Sequence, residues 1–129
     1  MSIYQRKLDE FSRVKLLVDF GETVQGYDPS WTKNKRTVEV YFVCFSNRIN
    51  GLEVISEMDK MGLRPAEAQV LKTLFLRSDV PEFVVAFGST RPNSVSGKAE
   101  ALCLHYHNFM SLGVEGDWNP RWCFLAVKK

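Results

Sequence analysis

The chain has 129 residues, a length that suits one domain with a core of its own and no need of metal or disulfide staples. With 45% apolar and 25% charged residues it falls among ordinary globular chains rather than disordered ones. A formal charge of +2 is too small to announce a nucleic-acid partner, and no apolar run is long enough to span a bilayer.

Residues 1–12 are mostly polar, with Leu8 and Phe11 as anchors; they are expected to form an arm, and they carry no signal-peptide core. Val14 to Phe20, bounded by Gly21, has the composition of a strand. Gly21 to Arg36 has that of a long loop, though Tyr27 and Trp31 lie inside it. Thr37 to Phe45 is the strongest strand. Its apolar residues fall on both faces, Val38, Val40 and Phe42 against Tyr41, Val43 and Phe45, so it is expected at the centre of a sheet.

Asn50 is placed to cap a helix, with Glu53 completing a capping box. Leu52, Ile55, Met58 and Met61 recur at helical spacing and predict a core-facing stripe. Gly62 permits a left-handed stop, and Pro65 is expected to open a second helix carrying Ala66, Val70, Leu71, Leu74 and Phe75. Phe83 to Phe87 predicts a buried strand, Gly88 to Gly97 a hairpin-like connection, and Ala99 to His107 an alternating strand. Asn108 to Pro120 is expected as a second long loop and Arg121 to Val127 as the final strand. No repeat, low-complexity tract or linker divides the chain. The expectation is a single α+β domain over residues 1–129, with two short helices packed on a mainly antiparallel, twisted sheet.

Three segments carry a resemblance: Phe45-Ser46-Asn47-Arg48-Ile49, the stretch from Glu57 to Ala66, and Val84 to Ser89. Together with the closing Trp118 to Lys129, they resemble a family of small uncharacterised bacterial proteins over roughly residues 37–129, a likeness that implies no particular reaction. A fainter one runs through the order helix, Gly62-Leu63-Arg64-Pro65, helix, strands, aromatic loop and terminal strand, which is similar to C-type-lectin-like domains. Bacterial members of that fold join the helices through Gly-x-Arg-Leu-Pro-Thr. Here the turn is one residue shorter, and Glu67 stands where the threonine cap would be. The likeness implies neighbouring N- and C-terminal strands and a ligand-facing surface on Asn108 to Pro120.

Cys44, Cys103 and Cys123 form no CxxC pair and lie in apolar runs. They are expected as free, buried thiols, which favours a reducing cytoplasm. Cys103, His105 and His107, two apart on a strand, would share a face as N and S ligands of a divalent metal, with Glu100 or Asp117 in range as a fourth ligand. The same spacing also follows from an amphipathic strand whose other face is Leu102, Leu104 and Tyr106. A cysteine nucleophile lacks the flanking glycines or helix N-terminus that would lower its pKa. The carboxylate pairs, Glu53 with Glu57 and Glu115 with Asp117, suit solvated surfaces.

Tyr27, Trp31, Phe109, Trp118 and Trp122 lie in or beside the long loops, and Arg121 adjoins Trp122. Such residues anchor interfaces and stack on ligands, and they also seal the ends of small sheets. The functional expectation is therefore a non-catalytic binding or interaction module for a protein or small-molecule ligand, built on Tyr27, Trp31, Phe109, Trp118, Arg121 and Trp122. The alternative is a small metal-dependent enzyme or metal sensor centred on Cys103, His105 and His107. A third reading, nucleic-acid binding, would use Lys33, Lys35, Arg36, Lys128 and Lys129.

Overall fold

Side-chain alternation along the strands organises the molecule. The computed structural model describes residues 4–5, 14–28, 34–75 and 77–129. The strands are β1 (Tyr4–Gln5), β2 (Val14–Asp19), β3 (Lys35–Phe45), β4 (Ile49–Asn50), β5 (Leu63–Pro65), β6 (Phe83–Pro92), β7 (Ala99–His105), β8 (Asn108–Gly113), β9 (Asp117–Trp118) and β10 (Cys123–Lys128). Two helices, α1 (Gly51–Lys60) and α2 (Ala68–Lys72), complete the described elements. The main sheet runs β1-β3-β10-β6-β7-β8, with β2 also paired to β3 and β5 to β10, while β4 and β9 form a separate pair. Its pairings are antiparallel except that of β6 with β10. Among the described residues the structure has the expected α+β class, with two short helices on a mainly antiparallel sheet.

Both faces of that sheet are buried. On one, Val40, Phe42, Cys44, Val84, Ala86, Leu102, Leu104, Leu125 and Val127 pack with Val70, Leu71 and Leu74 from α2 and the turn after it. On the other, Tyr41, Val43, Phe45, Val85, Phe87, Cys103, Phe124 and Ala126 pack with Val54 and Met58 of α1. A period of two sends successive residues of β3, β6, β7 and β10 into different cores, which is why residues 40–45, 83–87, 101–104 and 123–127 are apolar without a break.

The strand β10 holds the centre. One edge pairs with β3 from Cys123 to Val127. The other pairs first with β6, at Cys123 and Phe124, and then with β5, from Ala126 to Lys128. The exchange of partners happens at Gly88. Its N–H donates to the Ala66 carbonyl at 2.8 Å, while the Ala66 N–H donates to Leu125 at 3.0 Å. The β6–β7 register shifts between Ala86 and Thr90 at the same point. A Cβ on Gly88 would stand 2.5 Å from the Ala66 carbonyl oxygen, so only glycine allows so close an approach. One residue on, Ser89 Oγ accepts from the Ala68 N–H at 2.9 Å and caps α2 from another strand, because Glu67 at the N-cap provides no side-chain bond.

Several sequence expectations are corrected. Asn50 caps α1 through Oδ1 and the Leu52 N–H, as expected, but the helix buries Gly51, Val54 and Met58, leaving Leu52 64% and Ile55 40% exposed. Gly51 sets that phase: its N–H donates to the Gly116 carbonyl at 3.1 Å, and a side chain there would run into the Val114 carbonyl. Pro65 ends a strand instead of opening a helix, because Leu63 to Pro65 is captured by β10. Residues 108–113, expected as loop, form β8 against β7. Cys44 and Cys123 are not separate thiols. They face each other across β3 and β10 with Cα atoms 4.6 Å apart and form a disulfide, so the inference of a reducing compartment from three free cysteines no longer follows. No helix among the described residues is long and apolar enough to cross a membrane. The expected arm over 1–12 lies outside the described residues apart from Tyr4–Gln5, which pair with β3.

Ser89→Ala is expected to lower the unfolding free energy by about 1 kcal/mol in urea titration through the lost cap. Gly88→Ala is expected to cost more, about 2–3 kcal/mol, because backbone atoms on β5 have to move.

Candidate functional site

Two elements meet at one end of the sheet. The chain entering β6 brings Pro81, Glu82 and Phe83, and the turn between β7 and β8 brings His105 and Tyr106. With Arg121, ahead of β10, these residues line an open depression of about 730 Å³. Register puts Phe83 opposite His105, and their rings stack with centroids 4.1 Å apart and 18° between planes. Trp122 meets Phe83 edge-on at 5.2 Å from below. The floor is therefore aromatic and fixed from behind by the core.

Tyr106 forms the ridge. It is 54% exposed and has φ 56°, a left-handed conformation that suits glycine or asparagine in a two-residue hairpin turn. The strain is of order 1 kcal/mol. Both ends of the residue are tied to Glu82: its N–H donates to the Glu82 carbonyl at 2.9 Å, and its hydroxyl donates to the Glu82 carboxylate. That bond holds the phenol above the ordinary tyrosine pKa, while nearby Arg121 pulls the other way. On its far side Tyr106 also lines a second depression of about 220 Å³, shared with Arg77, Ser78, Val80, Pro81, Glu82 and His107. Arg77 is held there by Asp79 through paired bonds of 2.8 and 2.6 Å. Among the described residues Arg121 makes no ion pair, so its guanidinium is free to meet an anion.

The structure separates the expected metal ligands. Cys103 is fully buried in the core on the α1 side of the sheet, donating to the Ala101 carbonyl at 3.6 Å. His105 is committed to the Phe83 stack. His107 lies beyond the end of β7, where the left-handed turn carries it to the opposite side. There its Nδ1 donates to the Phe75 carbonyl at 2.9 Å, and its ring meets Phe75 edge-on. The spacing-of-two rule holds only while the strand lasts. Among the described residues no group of three His, Cys, Asp or Glu stands together to hold a metal ion.

Of the expected ligand-binding aromatics, most are structural in placement. Tyr27 is fully buried, donates to Ser111 Oγ at 3.0 Å and lies under the Arg91 guanidinium, so it pins its loop to β8. Phe109 is half-buried and stacks on Phe75 at 5.2 Å. Trp118 is buried, with Nε1 donating to Val114 at 3.1 Å and the ring edge-on to Trp122 and Phe87. With Trp122 it also borders a depression of about 300 Å³ beside Arg48, Glu115, Asp117 and Asn119. Trp31 and Lys33 lie outside the described residues. Arg121 alone of the expected set reaches the main depression with its polar end free. Phe83 and Tyr106 were not singled out in the sequence. The available signal was Tyr106 between two histidines, in a turn that has no glycine.

Arg36 lies over the Phe20 ring and shares a small depression with Arg64 and Lys128, but Glu39 and Glu67 line it too. Arg64 is engaged by Glu67 at 3.1 Å. Of the basic residues of the nucleic-acid reading, Arg36, Lys128 and Lys129 thus stand among acids, with Lys129 paired to Asp59.

Burial pushes the Cys103 thiol up to about 12. At pH 8 the native protein is expected to be inert to a thiol reagent. In guanidinium without reductant one thiol should react, and after reduction three. Because the folded pKa is raised, the stabilisation is complete below the unfolded cysteine value near 8.5 and is lost as pH rises toward 12, by about 1 kcal/mol per pH unit. Urea titrations at pH 9 and 10.5 are expected to show a shallower decline in Cys103→Ala. No protein-family model matches this chain, and no curated protein or solved structure matches it.

Proposed function

We propose that this protein is a non-catalytic binding module whose recognition surface is the aromatic depression around Tyr106, with Arg121 as its anion contact. One observation carries the reading: a bulky tyrosine is held in a left-handed turn, exposed, between two adjoining depressions. Strain of this kind persists where the surroundings fix it, and it clusters at ligand clamps. The partner suited to this surface presents a flat apolar or aromatic group with a negative charge beside it. Stacking would use the exposed face of Tyr106 and the aromatic floor, and the charge would meet Arg121. The residue types are those of interface anchors.

The lectin-like likeness belongs to the same reading. The Gly62-to-Pro65 link between helices supports it; the five-residue α2 departs from it, and so do β1 and β2, which pair with β3 and not with β10. The ligand-facing surface is then the end of the sheet at the Tyr106 turn, in place of the 108–120 segment.

Indole-3-acetate is a direct probe, with its neutral alcohol analogue tryptophol as the control. Titration into ¹⁵N-labelled protein should shift the amides of Phe83, His105, Tyr106 and Arg121, more strongly for the acid than for the alcohol. Arg121→Ala should abolish that preference. Tyr106→Gly should weaken both probes while raising the unfolding free energy by about 1 kcal/mol as the left-handed strain is relieved. Shifts confined to other surfaces, or none at all, would reject this site.

A further inference from the structure

Among the described residues the main sheet ends on one side at β8, which pairs there only with β7. Its phase is fixed by the register, His105 opposite Asn108, and by the bond from the Val114 N–H to Ala99 at 3.1 Å. Antiparallel pairs alternate between bonded and non-bonded. The Asn108, Met110 and Leu112 backbone groups therefore face β7, and those of Phe109, Ser111 and Gly113 face away. Among the described residues no backbone group bonds to that outer edge. Natural edges are blunted by charge, proline or a bulge. The β2 edge carries exposed Lys15 and Asp19, whereas β8, Asn-Phe-Met-Ser-Leu-Gly, has no charge and no proline.

We infer that β8 pairs antiparallel with β8 of a second copy of this chain, about a two-fold axis at Ser111. The strand is complementary to itself in three respects. Its three outward-bonding residues are centred on Ser111, so Phe109 meets the partner's Gly113, Ser111 meets the partner's Ser111, and Gly113 meets the partner's Phe109. That register makes up to about six backbone hydrogen bonds. Sizes match as well: a large ring opposes a glycine beside which a Cβ would touch nothing, and two small serines meet at the axis. On the other face Met110 and Leu112, 38% and 37% exposed, each fall opposite the other's counterpart. With no charge on the strand, nothing repels the second copy, and a two-fold pairing closes on itself without propagating. The result is a continuous sheet across two chains.

Sedimentation equilibrium over a concentration series tests the inference. The wild-type protein is expected to be a reversible dimer. Leu112→Lys, at an exposed position, should leave thermal unfolding nearly unchanged at dilutions where both proteins are monomeric and raise the dissociation constant about tenfold or more. Adding Met110→Glu to that variant should restore the dimer, because only this register sets position 110 opposite the partner's position 112. A wild-type protein monomeric throughout the series would overturn the inference. So would a dimer indifferent to Leu112→Lys, or a double variant with no recovery.

Discussion

Burial of β10 on both faces is the constraint on which the remaining structure depends. Five successive residues, Cys123 to Val127, are buried, and side chains the size of Phe124, Leu125 and Val127 contribute about 1.5–3 kcal/mol each when fully removed from water. A strand of this kind cannot sit at an edge, because its backbone groups need partners on both sides. It obtains them from β3 along one edge and from β6 and β5 in succession along the other. The handover between those two is possible only where a backbone without a side chain, Gly88, lies against the Ala66 carbonyl. The capping of α2 by Ser89 follows from the same crowding, since the strand that makes way also delivers the hydroxyl.

Much of the sheet was legible because burial on two faces leaves a distinct pattern. The opposed triplets of β3, and the split of β7 into Ala101 and Cys103 against Leu102 and Leu104, are found in separate cores as the alternation requires. The cap of α1 was also legible, since an asparagine before a helical pattern acts locally. Its rotation was not. Both Leu52-Ile55 and Gly51-Val54-Met58 fit helical spacing, and the choice was made by a carbonyl at Val114, distant in sequence, that needs a glycine next to it. Pro65 misled for a related reason: proline suits a first helical turn and a strand end equally, and β10 decided between them. The cysteine pair was invisible because opposition of Cys44 and Cys123 depends on a register between strands separated by 79 residues.

The candidate site was legible only in part. Arg121 was visible as a basic residue among aromatics. Trp118 and Trp122 drew attention for their size, and size is also what sends them into the core, where Trp118 satisfies its indole N–H on Val114. Tyr106 went unnoticed because alternation ran through it: Leu102, Leu104, Tyr106 reads as one face of a continuing strand. The strand in fact ends at His105, and a residue assigned to the sheet becomes the tip of a turn. The same break divides His105 from His107 and undoes the apparent metal cluster.

The central position of β10 has a kinetic side. Its principal partners, β3 and the start of β6, come from segments far back along the chain, and β6 meets it in parallel. Closing loops of that size costs entropy before the sheet returns any stability. Assembly should therefore be slow compared with formation of the β7–β8 hairpin, which is local and self-contained. Each folding chain then spends time with its hairpin formed and the uncharged β8 edge open, while the sheet that would hold it in place is incomplete. Encounters between chains compete with closure during that interval, so protein concentration during refolding, more than temperature or denaturant, governs the yield of native molecules.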